Sequence, residues 1–262
     1  MPKGLLRFLA LIAFSLMWLG KTAESQTVVS RHFPGREGTN ILCWSIPEER
    51  AGYQSQIVVF QTDAQGAAKL LWQSPIDNSY DPQIRFIEEI TAQGLPLALI
   101  ERQTGAASSQ LDVIGKAAGR IVRLVQIDGF KFDVAHLDGS KLPFIIAHTD
   151  ASVLDVPDIY RWNGGRFVED SAAHSDYYRQ RLAEDKSALP EDSGAAVLVN
   201  LARIALLSGD RAEAKAILAD ALSRERSKGN EANEETLKLI HKALHALEPS
   251  RRPQDENPHP KL

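Results

Sequence analysis

The sequence predicts an α+β protein in which a β-rich N-terminal region precedes a helical C-terminal region. Short apolar runs separated by Gly, Asp, Asn and Pro recur between residues 27 and 170, a pattern typical of antiparallel strands. Within that region a sequence repeat occurs at an offset of 46 to 47 residues. From residue 174 onward the apolar residues recur at helical spacing among Ala, Leu, Glu, Lys and Arg.

The composition is that of an ordinary globular protein. The chain has 262 residues, of which 44% are hydrophobic and 24% are charged, and it contains one cysteine. These values exclude a collagen-like, a disulfide-stapled and a wholly disordered chain. The net charge of -4 argues against a general nucleic-acid binder, which needs a basic surface against phosphates.

Residues 1–25 are typical of a secretory signal peptide. Lys3 and Arg7 precede an apolar run of 12 residues, Phe8–Leu19, and small residues up to Ser25 suit cleavage. The run is shorter than the roughly 20 residues that span a hydrocarbon core. We therefore expect cleavage near Ser25 and a secreted or periplasmic protein without a membrane span, with an uncleaved anchor as the alternative. Cleavage removes three of 30 basic and one of 34 acidic residues, which changes the net charge to -6.

Cys43 lacks a second cysteine with which to form an internal disulfide in an oxidising compartment. A catalytic thiolate needs an electropositive, partly exposed environment, whereas Cys43 stands among Ile41, Leu42 and Trp44. We therefore expect a buried structural cysteine on a strand.

The β-rich region, residues 27–170, contains the internal repeat. Residues 89–100 align with 136–147, and residues 111–122 align with 157–168. A weaker copy of the second hairpin lies at residues 56–72. Each unit therefore contains a strand pair, a short turn and a second pair closed by a Gly-rich hairpin, which is the pattern of a four-stranded propeller blade.

Two features resemble FG-GAP/VCBS-type β-propeller repeats. The first is the run from His136 through Asp138 and Gly139 into an apolar strand, and the second is the Gly-Gly-x-Phe turn within Asp158–Val168. The resemblance implies a partial, degenerate propeller-like module. A twisted sheet or a sandwich is the alternative, because only about two and a half units are present and propellers have four or more blades.

The calcium loop of this family carries aspartates at alternate positions, but here His136 and Leu142 stand where acidic ligands are needed. Calcium takes six to eight oxygen ligands, so Asp138 alone is a weak candidate ligand. We expect neither a metal nor another cofactor.

Four helices are predicted within residues 174–248, and residues 249–262 are predicted to be a disordered tail. The predicted helices cover residues 175–189, 192–208, 210–227 and 233–248. The middle pair resembles a tetratricopeptide repeat, in which small residues let two helices approach and larger ones fill the space between them. The framework positions are Leu201, Ala202, Gly209, Ala214, Leu218 and Ala221.

The sequence contains no G-x-S-x-G, G-x-x-x-x-G-K, C-x-x-C or H-E-x-x-H motif. His241 and His245 have a spacing seen in zinc sites, but a third ligand is missing, so we interpret them as surface residues. Aromatic residues of the hairpins offer a candidate binding face. The main candidates are Tyr160, Trp162 and Phe167, and Tyr53 and Trp72 are of the same kind.

These patterns favour an exported, non-enzymatic protein-interaction or scaffold protein of the cell envelope. A protein partner is expected and nucleic acid is not, and an open sheet edge offers a route to self-association. The alternative is an envelope hydrolase or carbohydrate-binding protein that uses scattered carboxylates such as Glu88, Asp133 and Asp138.

Overall fold

The computed structural model describes residues 27–48, 52–149, 154–190 and 193–247. The predicted leader, 1–25, and the predicted tail, 249–262, lie outside the described residues. The chain divides into a β unit that ends at Ser171 and a helical unit that begins at Ala172.

In the described part of the chain, the β unit contains three antiparallel sheets of four strands, and in each sheet the strands follow one another in chain order. The first sheet contains β1 (Thr27–His32), β2 (Thr39–Glu48), β3 (Gly52–Thr62) and β4 (Ala68–Gln73). The second contains β5 (Tyr80–Ala92), β6 (Leu95–Gly105), β7 (Ser108–Ala117) and β8 (Arg120–Gly129). The third contains β9 (Lys131–Ala135), β10 (Phe144–His148), β11 (Asp158–Trp162) and β12 (Phe167–Glu169).

The sequence repeat corresponds to successive sheets. Residues 97–100 and their repeat partners 144–147 lie on β6 and β10, the second strand of each sheet. The repeated hairpin at 111–122 joins β7 to β8, and its copy at 157–168 joins β11 to β12. The offset therefore reflects the length of one four-stranded unit.

The second sheet lies between the first and the third, because its two faces belong to two different core clusters. Leu97 and Leu99 of β6 pack with residues of the third sheet, whereas Ala98 and Ile100 pack with residues of the first sheet. Neighbouring side chains on a strand point to opposite faces. A strand buried on both faces needs a continuous apolar run, and the segment from Leu95 to Ile100 supplies it.

The helical unit contains four α-helices among the described residues. They are α1 (Ser175–Ala188), α2 (Ala195–Leu207), α3 (Arg211–Ser227) and α4 (Glu234–Ala246). The side chain of Asp210 accepts a hydrogen bond from the Glu213 amide at the start of α3, and Asn233 accepts one from Thr236 at the start of α4. Such caps satisfy amides that have no partner within the helix. No helix in the described part is long and apolar enough to cross a membrane.

Five of the six predicted framework positions of the helical unit are core positions of α2 and α3, and the sixth, Gly209, lies in the turn between these helices. Gly209 has a φ of +86°, a conformation that glycine adopts at little cost after a helix end. The side chains at the other five positions are buried: Leu201, Ala202, Ala214, Leu218 and Ala221.

Two glycines of the turn between β1 and β2 provide a matched pair for a stability test. Gly35 and Gly38 both have positive φ, but a Cβ at Gly38 would collide with the Thr62 carbonyl, whereas a Cβ at Gly35 meets open space. We expect Gly35→Ala to cost about 1 kcal/mol of unfolding free energy. Gly38→Ala should cost about 2–4 kcal/mol, because the collision adds to the strain. Urea denaturation measures both, and equal losses would contradict this account.

Candidate functional site

The β unit contains a groove with a volume of about 1000 Å³, here called the hairpin groove. Its walls come from the turn between β1 and β2, the hairpin of β3 and β4, the turn between β5 and β6, and the hairpin of β7 and β8. The lining residues are Gly35, Arg36, Glu37, Thr39, Gln61, Lys69, Leu70, Leu71, Trp72, Gln93, Leu95, Lys116, Gly119, Arg120, Ile121 and Val122.

The turns that form this groove are fixed by backbone geometry. Gln93 and Gly94 both have positive φ, and so do Ala118 and Gly119, which matches two-residue hairpin loops of the type I′ kind. In the hairpin of β3 and β4, the Asp63 carboxylate accepts hydrogen bonds from the amides of Gln65 and Ala67, at 3.0 and 2.7 Å. Such a side chain replaces missing backbone partners in a turn.

Hydrogen bonds between turns hold the groove walls together. The Arg36 guanidinium donates to the Gly94 carbonyl at 2.7 Å, which joins the first sheet to the second. The Gln93 side-chain oxygen accepts from the Gly119 amide at 2.9 Å, which joins the two turns of the second sheet. The groove is therefore largely formed before a ligand arrives, as is usual for binding sites.

The groove combines positive charge with exposed apolar surface. The lining residues in the described chain include four cations, Arg36, Lys69, Lys116 and Arg120, but a single carboxylate, Glu37. Leu70 is 52% exposed, and Trp72 is only partly buried. Among the described lining residues there is no histidine, no cysteine and no pair of carboxylates with which to transfer a proton.

A second charged cluster surrounds Arg102, whose side chain is fully buried on β6. Its guanidinium donates to the Asp77 carboxylate at 2.7 Å and to the Asp112 carboxylate at 2.6 Å. Arg102 also donates to the Ser79 hydroxyl, and Arg123 donates to the other oxygen of Asp112 at 3.0 Å. Burial alone lowers the pKa of the Arg102 guanidinium, but Asp112 and Asp77 outweigh it and raise that pKa. Every charge in the cluster has a partner, which is the arrangement of a structural network.

The Arg102 cluster also involves the first sheet. The Ser55 amide donates to the Asp77 carbonyl at 2.8 Å, and the Ser45 hydroxyl donates to the Ser79 carbonyl at 3.1 Å. Nearby, burial raises the pKa of the Cys43 thiol to about 11. Cys43 is fully buried on β2, so the thiol stays protonated and unreactive at neutral pH, in accord with the structural role predicted for it.

A third cluster lies around His148 of β10 and includes Asp133 of β9 and Asp155 of the loop between β10 and β11. Its Nδ1 lies 2.6 Å from an Asp155 oxygen, and its Nε2 lies 3.0 Å from an Asp133 oxygen. Because ionised carboxylates only accept hydrogen bonds, both ring nitrogens donate and the ring is protonated. The hydrogen bond to Asp155 raises the pKa of His148. A general base needs a ring nitrogen without a proton, so this histidine serves as an ion-pair centre.

The carboxylates proposed from the sequence fall into separate environments. Asp133 pairs with Lys131 and His148, and Glu88 is exposed on β5 beside a register irregularity. Asp138 has a φ of +53° in the turn between β9 and β10. Among the described residues no group of three or more His, Cys, Asp or Glu is arranged to hold a metal ion.

The predicted aromatic positions lie mostly in the core. Trp162 and Phe167 are buried, with ring centroids 5.4 Å apart, inside the cluster between the second and third sheets. Tyr160 packs against that cluster and is half-buried. Trp72, in contrast, lies in the hairpin groove. His241 and His245 are exposed on α4.

Sequence reasoning missed the cations of the groove. Arg36, Lys69, Lys116 and Arg120 come from separate turns and hairpins, and no local motif connects them. The available signal was their position beside the Gly-rich turns of consecutive repeats, because equivalent turns lie at the same end of neighbouring units.

Comparison with known proteins gives no match for this chain. No protein-family model matches it, and neither a curated protein nor a solved structure gives a significant match. The resemblances to propeller-type and tetratricopeptide repeats therefore stay predictions.

Replacing Arg102 should strongly destabilise the protein. Arg102→Met leaves the Asp112 carboxylate, which is fully buried, without its closest positive partner, and breaking such a pair costs about 3–5 kcal/mol. The control is Arg85→Met, because Arg85 forms a partly exposed ion pair with Glu101 at 3.1 Å. That pair should contribute no more than about 1 kcal/mol. Urea denaturation at neutral pH measures the loss of unfolding free energy in both variants. A larger loss for Arg85→Met than for Arg102→Met would contradict this account.

The contribution of His148 should depend on pH. Its pKa is raised in the folded state, so its stabilisation is complete below about pH 6.5 and is lost as the pH rises through the raised value. Burial raises the pKa of Asp155 and of Asp133, but their hydrogen bonds with His148, Thr149 and Lys131 outweigh it and lower both values. Both aspartates are therefore ionised throughout this range.

His148→Gln should accordingly reduce the free energy of unfolding more at about pH 6 than at about pH 9. Denaturant titrations at the two pH values provide the measurement. His136→Gln is the control, because His136 is exposed and its ring Nδ1 lies 3.1 Å from the Ser140 carbonyl oxygen, not from a carboxylate. An equal loss for His148→Gln at both pH values would show that the ring acts by packing alone.

Proposed function

We propose that this protein is an exported, non-enzymatic protein-interaction protein of the cell envelope, and that its hairpin groove binds an acidic segment of a partner protein. The observation that carries the proposal is the groove lining, in which four cations and one carboxylate surround exposed apolar side chains. An acidic segment with apolar residues complements both properties of this surface.

The charge of the groove differs in sign from that of the chain. The whole sequence has a net charge of -4, whereas the lining residues of the groove carry an excess of positive charge. General attraction to polyanions such as nucleic acid is therefore disfavoured, because the chain as a whole carries a net negative charge. The proposed attraction is local and acts only where a partner reaches the groove.

The proposal of a non-enzymatic role rests on how the charged groups are used. The carboxylates and the histidine of the Arg102 and His148 clusters are already paired within the protein. The described lining of the groove offers cations and apolar surface but no acid–base pair. These features support recognition by charge and shape over hydrolysis.

The architecture is consistent with interaction modules. Three consecutive four-stranded sheets in chain order support a propeller-like β-repeat module, and the close pair α2 and α3 supports a tetratricopeptide-like module. Export is supported by the charged and apolar pattern of residues 1–25. Since fold does not determine function, the groove remains the main argument.

Site-specific photo-cross-linking in the native cells tests this proposal. A photo-reactive residue at Leu70, which is 52% exposed within the groove, should cross-link to a discrete partner protein. The matched control is Ile76, which is 56% exposed and is not part of the groove lining. Adding Lys69→Glu and Arg120→Glu to the Leu70 variant should remove the adduct, because the partner is acidic. An identical adduct pattern at both positions, or an adduct that survives charge reversal, would refute the proposal.

A further inference from the structure

The groove is bounded by strand edges. Its lining includes four consecutive residues of β4, Lys69 to Trp72, and consecutive residues of the hairpin that starts β8, Gly119 to Val122. A strand that met the groove with one face would contribute alternate residues, because neighbouring side chains point to opposite faces. In β4 a β-bulge opposite Val59 and Phe60 interrupts this alternation, and the whole stretch from Lys69 to Trp72 borders the groove.

Both strands are edge strands in the described structure. β4 is the last strand of the first sheet, and β8 is the last strand of the second. An edge strand presents amide and carbonyl groups that another extended segment can pair with. β4 is the better template, since four of its six residues line the groove, whereas only the first three of the ten residues of β8 do so.

The size of the groove fits one short strand. A residue in a β-sheet occupies about 160 Å³, from a rise of about 3.3 Å, a strand spacing of about 4.8 Å and a layer thickness of about 10 Å. A volume of about 1000 Å³ therefore accommodates about six residues. The strand β4 is also six residues long.

We propose that the acidic partner segment binds in extended form and pairs with the free edge of β4 as a fifth strand of the first sheet. This inference rests on the proposed function. Alternate side chains of the segment contact Trp72 and Ile121, and its carboxylates contact Lys69, Lys116 and Arg120. Main-chain hydrogen bonds supply affinity, while the charge pattern and the apolar contacts supply specificity.

A second copy of this chain is a poorer occupant of the same edge. The β4 sequence, Ala-Lys-Leu-Leu-Trp-Gln, contains a lysine and no carboxylate. Pairing of two β4 strands would therefore bring two cationic grooves together, and like charges on facing strands are destabilising. Charge complementarity thus favours an acidic partner over self-association.

Binding of synthetic peptides to the full chain tests the inference. The probe is an acetylated, amidated Glu-Val-Glu-Val-Glu-Val peptide. One control peptide carries Lys in place of each Glu, and a second control peptide carries N-methyl groups on the backbone amides along one edge of the extended peptide. Calorimetry should detect the Glu peptide, and hydrogen exchange should show protection of β4 when it binds. N-methylation should weaken binding at least about tenfold, because it removes the pairing amides but keeps the charge.

A charge exchange provides an internal control for the protein. The double variant Lys69→Glu with Arg120→Glu should lose about tenfold in affinity for the Glu peptide and gain affinity for the Lys peptide. Lys242→Glu, an exposed substitution on α4, should leave both affinities unchanged. A misfolded variant cannot gain affinity for the Lys peptide. A switch in preference from the Glu peptide to the Lys peptide would therefore show that the substitutions change recognition and do not unfold the protein.

The other outcomes distinguish this inference from the proposed function. Equal binding of the N-methylated peptide would overturn strand addition but leave acidic recognition in place. A cross-link from Leu70 without binding of the Glu peptide would also overturn strand addition alone. Binding of heparin, an anionic polysaccharide, in place of the peptide would overturn both proposals, because the groove would then recognise a polyanion and not a protein segment. Concentration-dependent dimers with β4 protected would identify a second copy as the occupant and overturn the inference. Absence of both cross-link and peptide binding would overturn both proposals.

Discussion

The ion pairs of Arg102 form the interaction on which the rest of the β unit depends. A fully buried guanidinium is tolerated only because Asp77 and Asp112 both lie within 2.7 Å of it. Asp77 is in turn held by the Ser55 amide of β3, so the network connects the first sheet with the second. The alignment of these sheets determines where their turns meet, and the hairpin groove exists only where the turns of both sheets approach one another.

The buried ion pairs and the hairpin groove use the same types of charged residue for different purposes. Inside, cations face carboxylates and their charges are neutralised, as at Arg102 with Asp112 and at His148 with Asp155. In the groove, Lys69, Lys116 and Arg120 line a cavity in which Glu37 is the one described carboxylate. Paired charges stabilise a unique packing, whereas an excess of one sign in an open groove is available for a partner.

The architecture was largely accessible from the sequence, because repetition and periodicity are local properties. The predicted helices lie within three residues of those observed at each end, and the aligned repeats fall on equivalent strands. The site was not accessible in the same way. Trp162 and Trp72 both occupy hairpin strands, but the stacking of sheets buries the first and leaves the second in the groove. Arg102 lies on β6 just after its apolar run and has no sequence neighbour that predicts its burial, since its partner Asp77 lies 25 residues away.

The burial of Cys43 has a consequence for how the β unit can be observed. The thiol lies on β2, in the cluster that the first and second sheets share. A reagent can reach it only in molecules where these two sheets have separated, so its rate of modification measures the population of that opened state. Because the sequence has one cysteine, this rate of modification reports on the contact between the two sheets whose turns form the groove, and no cysteine has to be introduced.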